Sequence, residues 1–253
     1  MTAGGSPRTT INLRRYYVTR LALESPGPLL GMTASDLAGW MAEHQWGPNT
    51  AKSARSALRC FYGWAEAMGY VTSNPARLLP TVRPRRGTAR PTPEPVYRSA
   101  IERADDRARL AIQLAGQCGL RRGEIARVRR EDVEQDLCGW SLRVLGKGGH
   151  VRVVPLPDPL ADVIRSRSAG WVFPSPRGGH LTPHHVGKII AAELAPGYST
   201  HTLRHRCATT AYAATRDLRA VQELLGHAKP ETTAGYVRVP DNAMRAAVMA
   251  AAA

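Results

Sequence analysis

Apolar residues recur at helical spacing over most of this chain and at strand spacing in one short stretch. Residues 13–23 form the first helical candidate. Thr33, followed three positions later by Asp36, is a capping box and predicts a second helix running through His44. Pro48-Asn49-Thr50 opens a longer one, with Ala54, Ala57, Leu58, Phe61, Trp64, Ala65 and Met68 as its apolar stripe. The aromatics of that stripe read as core rather than as base-stacking groups, and Asn74-Pro75 marks the exit turn. Further helices are expected over residues 92–103, through Leu110 to Cys118, and from near Thr202. Between them Trp140-Ser-Leu-Arg-Val-Leu alternates, turns at Gly146-Lys147-Gly148-Gly149 and resumes as Val151-Arg-Val-Val-Pro155, the pattern of a β-hairpin. Breaks fall at Pro174-Ser-Pro176, Gly178-Gly179 and Pro196-Gly197. The fold class is mainly α with a small β-hairpin or sheet.

One stretch interrupts the periodicity. Residues 79–96 hold Pro80, Pro84, Pro91, Pro93 and Pro95, with Arg83, Arg85, Arg86 and Arg90 between them. Proline fixes φ and removes a donor, so this is an extended linker. It divides the chain into a helical part over 1–79, a linker over 80–95 and a second part over 96–253.

Charge then narrows the partner. The chain carries 35 Lys and Arg against 20 Asp and Glu, a net charge of +15 over 253 residues. Such a field draws polyanions, which puts nucleic acid ahead of an anionic membrane surface. Lys52, Lys147, Lys188 and Lys229 are the only lysines. Arginine suits phosphate, because its planar fork donates two parallel hydrogen bonds. Lys52, Arg55 and Arg59 on the third helix, with the four linker arginines, are the candidate DNA-backbone contacts. Cys60, Cys118, Cys138 and Cys207 lie far apart with no CxxC pair, which fits a reducing cytoplasm. No long apolar run or signal-peptide core is present, and no membrane partner is expected.

Five local patterns carry candidate chemistry. In Cys118-Gly-Leu-Arg121-Arg-Gly-Glu124 an arginine at a helix start can aim at an anion, with Glu124 to orient it. Lys147 stands between turn glycines that permit close approach to a ligand. His201 and Arg204, three apart, share a helix face and can grip one phosphate. His201 and His205 are also at metal-ligand spacing, but no third ligand or catalytic carboxylate accompanies them, and no metal is assigned. Leu225-Gly226-His227 places a histidine just beyond a helix-ending glycine, and Tyr236 follows nine residues later. Each pattern alone is weak, and a lone tyrosine is more often structural than nucleophilic.

In this order, the five together resemble the tyrosine recombinase family, the phage integrases and their bacterial relatives. Residues 49–75 resemble that family's core-binding module, and residues from about 91 onward its catalytic domain, making a two-domain DNA clamp. The resemblance implies catalytic roles for Arg121, Lys147, His201, Arg204, His227 and Tyr236, with Glu124 and His205 orienting them, and no cofactor. His150, Gly235 and Val237-Arg238 depart from the family's common residues around the lysine and the tyrosine. The part before the core-binding module is too short for an arm-site-binding domain, so a compact integrase working on core-type sites is expected. The resemblance also implies a 3′-phosphotyrosyl intermediate, double-stranded DNA as partner, four protomers at synapsis, and phage or mobile-element DNA as cargo. A directionality factor is the accessory partner such an enzyme calls on.

The chemistry is consistent with those roles. Forming a phenolate at pH 7 from a group with a pKa near 10 costs about 4 kcal/mol, which clustered cations offset. Arg121 and Arg204 would hold the non-bridging oxygens, His201 and His227 would add hydrogen bonds, and Lys147 would protonate the departing 5′-oxygen. A type IB topoisomerase would use the same set, and a non-catalytic DNA-binding regulator would show decay in it; here every position is filled. The tail over 241–253 reads either as a helix packing on a neighbouring protomer or as a proteolysis tag for a host protease.

Overall fold

The computed structural model describes residues 8–83, 90–146, 149–226 and Met249. The chain divides into two compact units, Met1–Arg86 and Gly87–Ala253. It is mainly helical with one small antiparallel sheet.

In the first unit, α1 spans Arg8–Glu24, α2 Ala34–Glu43 and α3 Pro48–Ala67. The Thr33–Asp36 capping box starts α2, each partner satisfying a backbone N–H that the first turn leaves open. Pro48 starts α3, where a missing N–H costs nothing. Tyr17, Leu21, Leu37, Trp40, Ala54, Leu58 and Tyr62 form the core of this unit. The stripe expected on α3 is only partly inward. Ala54, Ala57, Leu58 and Ala65 are buried, but Trp64 and Met68 are 44% and 60% exposed. Tyr62, which the expected stripe omits, is buried in line with Leu58, its hydroxyl donating to the Leu29 carbonyl at 2.7 Å. Trp64 lies against the Phe61 and Tyr70 rings.

Lys52 and Arg59 are exposed on α3. Arg55 is not available in the same way: Nε and Nη2 donate to the Leu79 carbonyl at 3.1 and 3.0 Å, closing the end of the unit.

In the second unit, α4 spans Glu94–Arg103, α5 Asp106–Gly116, α6 Arg122–Ile125, α7 Asp158–Arg165, α8 Pro183–Glu193, α9 Thr200–Thr215 and α10 Leu218–Leu225. Short polar side chains set the starts: Asp105 caps α5, Thr182 caps α8, Ser199 caps α9 and Asp217 caps α10. The Ser199 cap is why α9 begins two residues before the expected start near Thr202.

The sheet has three strands rather than two, in the order β1 (Val133–Asp136), β2 (Gly139–Leu145), β3 (Val151–Leu156). β1 pairs with β2 from Val133 opposite Leu142 to Asp136 opposite Gly139. Its sequence, Val-Glu-Gln-Asp, carries almost no apolar signal. Leu142, Val144, Val154 and Leu156 turn one face into a core shared with Leu110, Ile112, Leu114, Ile125, Ile164 and Leu203. The linker's far end already belongs to this unit: Thr92 is buried and bonds Thr202 through both backbone and hydroxyl. Arg83 is exposed, and Arg90 stacks over the Tyr198 ring at 5.3 Å. None of the described helices is long and apolar enough to cross a membrane.

Candidate active site

The turn after α5 delivers the first arginine. Gly119 adopts φ +65°, and a Cβ there would lie 2.7 Å from a Leu225 methyl, so the chain can reverse only with glycine. Arg121 is then the N-cap of α6, and Glu124 reaches back to its backbone N–H at 2.9 Å.

Glu124 is the hub of the site. Its carboxylate accepts from Arg121 Nη1 at 2.7 Å and from Arg152 Nη1 and Nη2 at 3.0 and 2.9 Å, and lies 4.0 Å from Arg204. The side chain is 3% exposed. Burial alone would raise its pKa, but the hydrogen bonds and charge of Arg152, joined by those of Arg121, override burial and hold it at about 2. One carboxylate among three guanidinium groups leaves the cluster cationic.

The same arginines hold the end of α10. Arg152 Nε donates to the Leu224 carbonyl at 3.1 Å, Arg204 Nη2 to Leu225 at 2.6 Å, and Arg121 Nη2 more weakly to Gly226 at 3.4 Å. Arg204 also donates to the Gly119 carbonyl. Last-turn carbonyls carry the negative end of the helix dipole, so cations suit them. Gly226 ends the helix in the left-handed region, φ +63°, and a Cβ there would meet Arg152 Cδ at 2.8 Å. Gly226→Ala is therefore expected to lose about 1–3 kcal/mol of stability, measured by urea unfolding.

α9 supplies the rest. Arg204 is 1% exposed, locked by backbone acceptors rather than swinging in solvent. His201 lies at the groove mouth one turn earlier, its ring 4.6 Å from that of buried His205. Partial burial, then the charges of His205, Arg204 and Arg121, holds the His201 pKa below the ordinary histidine value, which favours the neutral ring. Arg206 fixes the helix from its other side, bonding Glu94 and the Gly116 carbonyl and lying 3.8 Å over Tyr97.

Arg121, Arg204 and His201 line one groove of about 640 Å³, together with Arg122, His184 and Lys188. Arg121 is 40% exposed there. The groove can hold an anion between oriented donors, with neutral His201 able to accept or donate a proton. Among the described residues, no group of three or more His, Cys, Asp or Glu is placed to hold a metal. Burial pushes the Cys118 and Cys207 thiols up to about 12 and about 11, leaving them protonated and unreactive.

Of the expected site residues, Arg121, Glu124, His201, Arg204 and His205 come together. Lys147, His227 and Tyr236 lie outside the described residues, as do Arg85, Arg86 and, apart from Met249, the tail over 241–253. A backbone bond from Gly146 to the His150 carbonyl at 2.7 Å extends the pairing of β2 with β3 by one step. His227 directly follows the Gly226 cap. Arg152 was not singled out from sequence, although a signal existed: it lies in phase with inward-facing Val154 and Leu156 and opposite buried Val144. An arginine at an inward strand position requires a partner.

Comparison with known proteins agrees with this geometry. The family model described as "Phage integrase family" matches residues 94–243. Tyrosine recombinase XerD of Caulobacter vibrioides is 36% identical, over 76% of this chain and 71% of that protein. Among solved structures, the integrase of mycobacterium phage Brujita is 25% identical with a TM-score of 0.51, covering 95% of this chain and 92% of that one. The Tn1549 transposon integrase in complex with transposon right end DNA superposes with a TM-score of 0.72 at 17% identity, covering 100% of this chain and 96% of that one. The matched span and the level of identity place this chain in the phage integrase family: it is a tyrosine recombinase, a DNA strand transferase.

Proposed function

We propose that this recombinase integrates or excises phage or mobile-element DNA at core-type sites, cutting each strand with Tyr236 and keeping the bond as a 3′-phosphotyrosyl ester. One observation carries the reading: Arg121, His201 and Arg204 line a single cationic groove, at the end of the helix that leads into His227. The likeness to the Brujita phage integrase over almost the whole of both chains supports integration as the biological task. The net charge of +15 supports double-stranded DNA as partner, and the family supports assembly of several protomers on it.

In this mechanism the exposed fork of Arg121 meets a non-bridging oxygen of the scissile phosphate. Arg204, immobile at the groove floor, sets its charge against the phosphorane as negative charge grows there. Because these donors are already fixed by Glu124 and by carbonyls of the fold, little reorganisation accompanies the reaction. Neutral His201 takes the phenol proton of Tyr236 or bonds the phosphate. His227 adds a donor to the phosphate, and Lys147 protonates the leaving 5′-oxygen. The ester stores the energy of the broken bond, so rejoining needs no nucleotide.

The test is a labelled duplex with a nick that lets the short fragment ending in the freed 5′-hydroxyl diffuse away. The protein is expected to accumulate as a denaturation-resistant DNA adduct at full rate in EDTA. No adduct, or one formed only with added metal, would reject the reading. Lys147→Ala is expected to cleave about 10²–10⁴-fold more slowly. A bridging 5′-phosphorothiolate, whose leaving group needs no proton, is expected to restore its rate. Failure of that rescue would remove Lys147 from the acid role.

A further inference from the structure

We propose that Arg152 is the positioning residue of this active site, a single side chain that locks three catalytic segments to one another. The inference rests on the recombinase reading above but assigns a residue that the reading does not require. Arg152 spends all three guanidinium nitrogens on protein acceptors: Nη1 and Nη2 grip the Glu124 carboxylate, and Nε bonds the Leu224 carbonyl. Through Glu124 it acts on Arg121, which shares that carboxylate and lines the groove. Through Leu224 it holds the last turn of α10, from which the chain continues into His227. Through its own backbone on β3, five residues after Lys147, it ties the catalytic hairpin to both. The side chain is 14% exposed and packs so closely on Gly226 that any Cβ there would displace it. Arg152 itself does not line the arginine–histidine groove, so its part is to place other groups rather than to touch the phosphate.

The planar fork is what makes the arrangement work. A guanidinium can bond both oxygens of one carboxylate while its Nε–H points elsewhere. A lysine at this position keeps the charge but offers one ammonium, which cannot span the carboxylate and the helix terminus together.

The experiment uses the full chain, with Arg152→Lys and Arg152→Gln, in single-turnover cleavage of the nicked duplex at saturating protein. Both variants are expected to cleave about 100-fold more slowly, with DNA affinity within about threefold of the parent, since misplacing reacting groups by about an ångström costs that much. Glu124→Gln combined with Arg152→Gln is expected to lose less than the product of the two single losses, because the Glu124–Arg152 contact is shared while the bond to Leu224 is lost only with Arg152. A Lys variant at the parent rate, or losses that multiply in the double variant, would overturn the proposal. If Arg152→Gln does not fold, the Lys variant, which retains the charge, decides the outcome. Amide exchange separates this inference from the recombinase reading. Even if the parent forms no adduct, faster exchange over residues 222–226 in Arg152→Lys would support the lock, and unchanged exchange would refute it.

Discussion

Tyr236→Phe is expected to abolish the covalent DNA adduct while binding the same duplex within about threefold of the parent affinity. The substitution removes one oxygen and keeps the ring, so shape and charge are nearly unchanged. That oxygen is the atom that would carry the new ester bond, and the cationic groove cannot substitute for a nucleophile. Loss of a nucleophile leaves only the electrostatic part of catalysis, so the cleavage rate should fall on the order of 10⁴-fold or more. The comparison is a denaturing gel of the nicked duplex beside a fluorescence anisotropy titration. A Phe variant that still forms the adduct would move the nucleophile elsewhere. Loss of binding together with cleavage would show that the segment serves the fold.

The second large effect falls on Glu124. Glu124→Gln leaves three guanidinium groups facing a neutral amide, where the native fold has a buried carboxylate with a pKa of about 2 against an ordinary 4.5. A depression of that size corresponds to about 3 kcal/mol of stability, within reach of the 3–5 kcal/mol typical of breaking a buried ion pair. The pH dependence has a definite sign. The folded state keeps this carboxylate ionised where the unfolded chain would protonate it, so the contribution is complete above about pH 4.5 and is lost as pH falls toward 2. Urea unfolding of parent and variant at pH 7, 5 and 3.5 is therefore expected to give a constant difference at the first two values and a smaller one at the third. A difference that is independent of pH down to 3.5 would mean that the carboxylate charge is not what Glu124 contributes. Strand cleavage should fall with it, because Arg121 loses its anchor.

Helix starts were open to sequence reading because their cause is local. Thr33 with Asp36 writes its own turn, and Pro48 can only begin a helix. Gly226 was readable for the same reason, since a helix that ends in the left-handed region asks for glycine. The site arginines were readable by type and spacing but not by task. Arg55, Arg204 and Arg206 each satisfy carbonyls of their own fold, so the net charge overstates how many cations face a partner. β1 was hidden because Val-Glu-Gln-Asp earns its place by pairing with β2, not by burying apolar side chains. Arg152 was hidden because its partners, Glu124 and Leu224, stand 28 and 72 positions away, and no local pattern reports a contact made by folding. Trp64 failed in the opposite direction: periodicity placed it inward, but the buried face runs through Ala54, Leu58 and Tyr62, and a residue two positions on from Tyr62 points away from that face.

The defining event of the reaction is the joining of one protein atom to one end of the cut DNA strand. Digesting the adduct formed by the unaltered chain on the nicked duplex, then sequencing the DNA-linked peptide by mass spectrometry, reads that atom directly. The predicted result is a nucleotide attached through its 3′-phosphate to Tyr236. Attachment to any other residue, or through a 5′-phosphate, would contradict it.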